Sequence, residues 1–162
     1  IRTPTGAYAY DTFKLGVPFI GDLYRKLYLS MIADNMHTMI LSGIPMLRAI
    51  EITSSVVDSV TYKQILDESL VAVKGGSSLS SSFAQYEQIP GILVQMIKVG
   101  EETGELGNIL KTMAKFYQRE VMNAVDTLVD LIEPVMIVML GLGVGVLLAS
   151  VLMPIYNIAN SA

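Results

Sequence analysis

The sequence predicts an all-α protein, an antiparallel bundle of about six helices followed by one transmembrane helix. Three observations carry that expectation. Apolar residues recur at three- and four-residue spacing, with no strand-like alternation. Glycine and proline fall at helix-length intervals. From Pro134 to Met153 every residue is apolar, glycine or alanine except Ser150, a run of about 20 residues that matches a hydrocarbon core of roughly 30 Å. The chain has 162 residues, enough for one modest domain with a true core.

Taken in order, residues 1–13, "IRTPTGAYAYDTF", lack a basic stretch followed by an apolar one and are therefore no signal peptide. They read as a lead-in that follows a preceding membrane span. A cytoplasmic helical domain is expected over residues 14–130. Pro18 opens its first helix, whose early stripe is Ile20, Leu23, Leu27 and Met31. Its later apolar residues, Ile32, Met36, Met39 and Ile40, lie nearer the opposite side, so the helix is expected to change neighbours along its length. Gly43 suits the left-handed cap after this helix and Pro45 the first turn of the next. The second helix covers Met46 to about Val57, with Leu47, Ile50 and Val57 inward. The third runs from about Thr61 to Val73 on a stripe of Ile65, Leu66 and Leu70.

In "KGGSSLSSSF", Gly75 and Gly76 terminate the third helix and Ser77 or Ser78 caps a short fourth, held by Leu79 and Phe83. Apolar residues recurring every four positions favour that reading over a flexible serine linker. Pro90 begins a fifth helix, Ile92 to Val99. A sixth carries Leu106, Ile109, Leu110, Met113, Phe116 and Tyr117 on one face, with Lys111 and Lys115 off it. Its stripe continues through Val121, Ala124, Leu128 and Ile132 into the apolar run. Pro134, which has no backbone donor, is expected to kink or break the helix there. The transmembrane helix is expected over 131–155, with 156–162 as a short non-cytoplasmic tail. Lys111, Lys115 and Arg119 precede the span and no base follows it, which places the body on the cytoplasmic side.

Composition removes several function classes. Only 16% of residues are charged and the net charge is −4, with no basic patch interleaved with aromatics, so nucleic acid is not a partner. The absence of cysteine excludes disulfides and thiolate metal sites. His37 is the sole histidine and reads as a polar helix position rather than a ligand or general base. No phosphate-binding loop is present. "GLGVG" at 141–145 lies in an apolar helix with no preceding strand, which rules out a dinucleotide fingerprint. Gly141, Gly145 and Ala149 stand instead at four-residue spacing, the small-residue face that lets transmembrane helices approach closely. No catalytic set and no cofactor are expected.

The acidic stretch "VGEETGELGNIL", residues 99–110, admits two readings. Glu101, Glu102 and Glu105 are candidate ligands for a divalent cation. Alternatively Gly104 reverses the chain and Glu105 opens the sixth helix, where the helix dipole favours a carboxylate. Glu101 fits the second reading least, because it falls at the end of the preceding helix, where the dipole disfavours it. Such a residue signals a tertiary hydrogen bond, an ion pair or a partner contact.

Several stretches together resemble one family in order and spacing: "SGIPMLRAIEI" at 42–52, "GGSSLSSSF" at 75–83, "IPGILVQMIKVGEETGELGNIL" at 89–110, "FYQREV" at 116–121 and "LIEPVMIVMLGLGVGVLLASVLMPIYNI" at 131–158. The family is the polytopic inner-membrane platform protein of type II secretion systems and type IV pili, of which this chain resembles the C-terminal half. The resemblance implies a non-catalytic component that couples a cytoplasmic assembly ATPase to movement of pilins or pseudopilins. It also implies contact with other inner-membrane assembly components, and a homo-oligomer is expected. The family's glycine–glutamate motif falls on Gly100, Glu101 and Gly104, its glutamate–proline where the chain enters the membrane on Glu133 and Pro134, and its late proline on Pro154. A membrane-anchored helical sensor or ligand-binding module is the alternative from another class.

Overall fold

The computed structural model describes residues 20–130 and 132–159, so the lead-in over 1–13, the opening of the first helix at Pro18, and residues 160–162 lie outside the described part. The described residues form seven helices and no strand: α1 (Ile20–Leu41), α2 (Met46–Val56), α3 (Val60–Lys74), α4 (Leu79–Phe83), α5 (Gly91–Thr103), α6 (Leu106–Asp130) and α7 (Ile132–Ala159). Six helices thus precede one long apolar helix. The chain divides into two compact units, up to Met122 and from Asn123 onward.

Within the first unit the helix ends follow local backbone chemistry. Gly43 takes φ +84°, and the amides of Gly43 and Ile44 return to the carbonyls of Ile40 and Met39, closing α1 with the paired bonds of a left-handed cap. Pro45 sits at the N-cap of α2 with φ −58°. Ser59 caps α3 by accepting from the Tyr62 amide, and Ser78 caps α4 by accepting from the Ser81 amide at 3.1 Å. Helix α5 extends four residues past Val99, to Thr103, so Glu101 and Glu102 both lie in its last turn.

The core joins Leu29, Ile32 and Met36 of α1 to Ile50 of α2, Tyr62 and Leu66 of α3, Leu79 and Phe83 of α4, Leu93 and Ile97 of α5, and Leu110 and Met113 of α6. Consecutive helices from α1 to α5 pack on one another. Helix α6 runs antiparallel to α1. Gly107 lies against Leu41 and Ile40, the Ser30 hydroxyl reaches the Ala114 carbonyl at 3.5 Å, and Lys26 pairs with Glu120 at 3.1 Å. Lys26 also pairs with Asp22. That hydrogen bond leads in raising the Lys26 pKa, against the opposing effect of burial.

Three expected faces differ from those observed. In α1 one face is buried throughout, Tyr28, Leu29, Ile32, Ala33 and Met36, while Leu27 is exposed. The expected early stripe is therefore not the core stripe, because Tyr28 and Ala33 do the packing. The Tyr28 ring lies 5.3 Å from that of Tyr62, and its hydroxyl donates to the Asp58 carbonyl at 2.8 Å. In α2 Leu47 points outward, and the buried face is Ala49, Ile50, Thr53 and Ser54. Thr53 satisfies its hydroxyl on the Ala49 carbonyl at 2.7 Å, and Ser54 hydrogen-bonds Asp67. In α6 Phe116 is exposed beside buried Tyr117, and the face is completed by the small residues Gly107 and Ala114.

In the second unit, α7 is long and apolar enough to cross a membrane. It carries Glu133 in its first turn. Pro134 follows in the same turn, and the helix continues past 155 and through Pro154 to Ala159.

Candidate functional site

Helix α4 has five residues, far below the length of about 12–15 at which an isolated helix begins to hold in water. Two things keep it formed. Leu79 and Phe83 are almost wholly buried, each contributing about 2 kcal/mol of apolar burial. The amides of Leu79, Ser80 and Ser81, which no helical carbonyl can reach, find acceptors. Ser78 takes the Ser81 amide. The Leu79 amide donates to Glu101 Oε1 at 2.6 Å, and the Ser80 amide to Glu101 Oε2 at 3.2 Å. The Ser80 hydroxyl adds a third bond to Glu101 Oε2 at 2.5 Å.

Glu101 thus caps a helix other than its own, 21 to 22 residues away. Its carboxylate stands at the wrong end of α5 for the α5 dipole and at the right end of α4 for the α4 dipole. Two of the sequence stretches that carry the resemblance, 75–83 and 89–110, meet here.

The glycines around Glu101 have separate reasons. Gly100 is buried where α5 crosses the start of α6, and a Cβ there would lie 2.9 Å from the Leu106 Cα and 3.3 Å from the Ile109 side chain. Gly104 ends α5 in the left-handed conformation, φ +75°, which costs a non-glycine residue about 1–2 kcal/mol. The two together turn the chain sharply while holding α5 and α6 close.

The other two carboxylates do not join Glu101. Glu102 is exposed, 3.9 Å from Lys98. It lies in the last turn of α5, where the helix dipole disfavours a carboxylate. Glu105 precedes α6, accepts the Ile109 amide on its carbonyl and takes a side-chain bond from Asn108. Among the described residues no group of three or more His, Cys, Asp or Glu side chains is placed to hold a metal ion. His37 bonds Asp34 of its own helix at 3.2 Å.

An open cleft of about 390 Å³ borders the corner, lined by Ser78, Ser81, Ala84, Val94, Lys98 and Glu102 among others. Further ties brace α4 from behind. The Ser82 hydroxyl donates to that of Ser69 at 2.8 Å inside the core. Tyr86, just after α4, donates to Glu68 of α3 at 2.6 Å. Burial, then this bond, pushes the Tyr86 hydroxyl up to about 12, and the same bond leads in lowering the Glu68 pKa. The sequence reading found Gly100, Glu101, Gly104 and Ser78, but not Ser80, Ser69 or Gly107. A glycine just inside a helix is the one local signal available for Gly107, where a Cβ would lie 2.8 Å from a Leu41 methyl.

In α7, a Cβ added at Gly141 or Gly145 would meet nothing within 4 Å. Ala149 is exposed on the same helix.

Residues 32–154, well over half of the chain, match the family described as type II secretion system (T2SS), protein F. The chain belongs to this family. It is 32% identical over 160 residues to the type IV pilus assembly protein PilC of Thermus thermophilus, covering 98% of this chain and 39% of that protein. It is 33% identical over 164 residues to its Myxococcus xanthus namesake, covering 99% and 38%. It is 31% identical over 153 residues to the type II secretion system protein F of Xanthomonas campestris, covering 94% and 38%. The chain therefore spans about two fifths of the length of these relatives.

Proposed function

We propose that this chain is the C-terminal part of a non-enzymatic inner-membrane platform in a type IV pilus or type II secretion machine. In this reading the helical unit lies in the cytoplasm and α7 crosses the inner membrane. The platform couples a cytoplasmic assembly ATPase to the movement of pilins or pseudopilins and contacts other inner-membrane components. The observation that carries the reading is the family match over residues 32–154, shared with relatives named for both kinds of machine.

The α4–α5–α6 corner serves this role through structure. Gly43, Pro45, Gly100, Gly104 and Glu105 shape the helix ends and crossings, and Glu101 fixes α4 and the cleft beside it as a surface for partners. Glu133, Pro134 and Pro154 set the course of the span. Gly141, Gly145 and Ala149 offer the face through which α7 packs on a second copy or on the platform's other spans.

The test is to tag the complete gene product in its own bacterium and purify it from the membrane. Stoichiometric recovery of the assembly ATPase and pilins is the expected result. Recovery of the protein alone, with a small molecule that shifts its melting temperature, would instead point to a membrane-anchored sensor.

A further inference from the structure

The outer face of α6 carries Lys111, Lys115 and Arg119 one turn apart, all exposed. Among the described residues none of the three enters an ion pair. No acidic residue stands three or four positions from any of them, so the row contains two like-charge pairs at the spacing where helical neighbours repel. Its polar contact is internal, from Arg119 Nε to the Lys115 carbonyl at 3.4 Å. The helix cannot rotate the row away, since Leu110, Met113 and Tyr117 are buried on the opposite face. Phe116 and Met122, beside the bases, are 41% and 62% exposed.

We propose that this row is a docking surface for an acidic amphipathic helix of a soluble partner, with carboxylates at four-residue spacing set against the bases and apolar side chains against Phe116 and Met122. Charge complementarity selects the occupant. The repulsion within the row is relieved by an opposing row of carboxylates, and the four-residue repeat matches that of a helix. Anionic lipid fits less well. Asp126, Asp130 and Glu133 stand in sequence between the row and the apolar run. The inference deepens the platform reading and rests on it, because it supposes that this unit faces the cytoplasm.

The experiment uses the complete gene product in cells that build the machine, with a photo-crosslinking amino acid in place of Gln118. The expected product joins the platform to a machine component through a helix bearing carboxylates at four-residue spacing. Lys115→Glu should lower the yield at least tenfold. The same change places a carboxylate between Lys111 and Arg119, so the melting temperature should be no lower than the parent's. Reversing the partner's carboxylates to lysine should restore the crosslink to the Lys115→Glu protein. Crosslinks to lipid, a yield indifferent to Lys115→Glu, or loss of binding to phosphatidylglycerol vesicles with the protein crosslink intact would each overturn the proposal. Co-purification of machine components without a crosslink at the row removes this inference alone. Absence of every component removes the platform reading as well.

Discussion

Two glycine-bearing regions of this molecule obey different rules. At the α5–α6 corner each glycine answers to something in the chain. Gly100 makes room for the Leu106 backbone and Gly104 adopts a conformation that side chains resist. In α7, Gly141, Gly143 and Gly145 face empty space, and an added Cβ would meet nothing. The corner glycines are therefore explained by folding. Those of α7 are explained only by something that packs on the helix from outside, or by the general tolerance of membrane helices for glycine. The contrast separates residues that hold this chain together from residues available to hold it to others.

The largest expected effect falls on Gly100. Gly100→Val drives branched carbons into a backbone atom already 2.9 Å from the position of a Cβ. The expected loss is about 3 kcal/mol, measured by thermal melting of the chain in detergent. A parental melting temperature would show that α5 and α6 can separate freely. Next comes Glu101. Glu101→Ala removes three acceptor contacts from α4 and should cost about 2 kcal/mol, the upper end for a lost N-cap. Glu101→Gln keeps one acceptor oxygen and should cost less. In the bacterium, pilus assembly or secretion should fall in the same order at matched protein level. Full output from both would leave the corner without a functional role.

Gly104→Ala should cost about 1 kcal/mol through backbone strain alone, since its Cβ has open space. A larger loss would mean that the turn has a steric partner as well. The smallest effect on stability belongs to α7. Gly145→Leu should leave insertion, abundance and the melting of the helical unit unchanged while weakening self-association or contact with other spans. The chain has no native cysteine, so cysteine pairs placed near one end of the helix give a direct readout. Crosslinking that is unchanged in Gly141→Leu and Gly145→Leu would leave α7 a tether.

The helix breaks were legible because their causes are local. Gly43, Gly76 and Gly104 do take positive φ, and Pro45 and Pro90 do stand at helix starts. The buried face of α1 was legible only in part: Ile32 and Met36 of the later stripe are core residues, whereas Leu27 of the early stripe is exposed and Tyr28 packs on Tyr62 in its place. Glu101 was legible by half. Its unfavourable place at a helix end shows from sequence alone that it needs a distant partner. That the partner is a pair of amides opening α4 depends on how α5 crosses α4, which no local pattern encodes.

The borrowed cap on α4 also ties the opening of one helix to the integrity of another. The amides of Leu79 and Ser80 are held by α5, whereas that of Ser81 is held by its neighbour Ser78. Under native conditions the first two should exchange with deuterium only when α5 loosens, while Ser81 reports fraying of α4 itself. Glu101→Ala should then raise exchange at Leu79 and Ser80 far more than at Ser81. The hydrogens of these three adjacent amides would thus distinguish a local event from one transmitted across the fold.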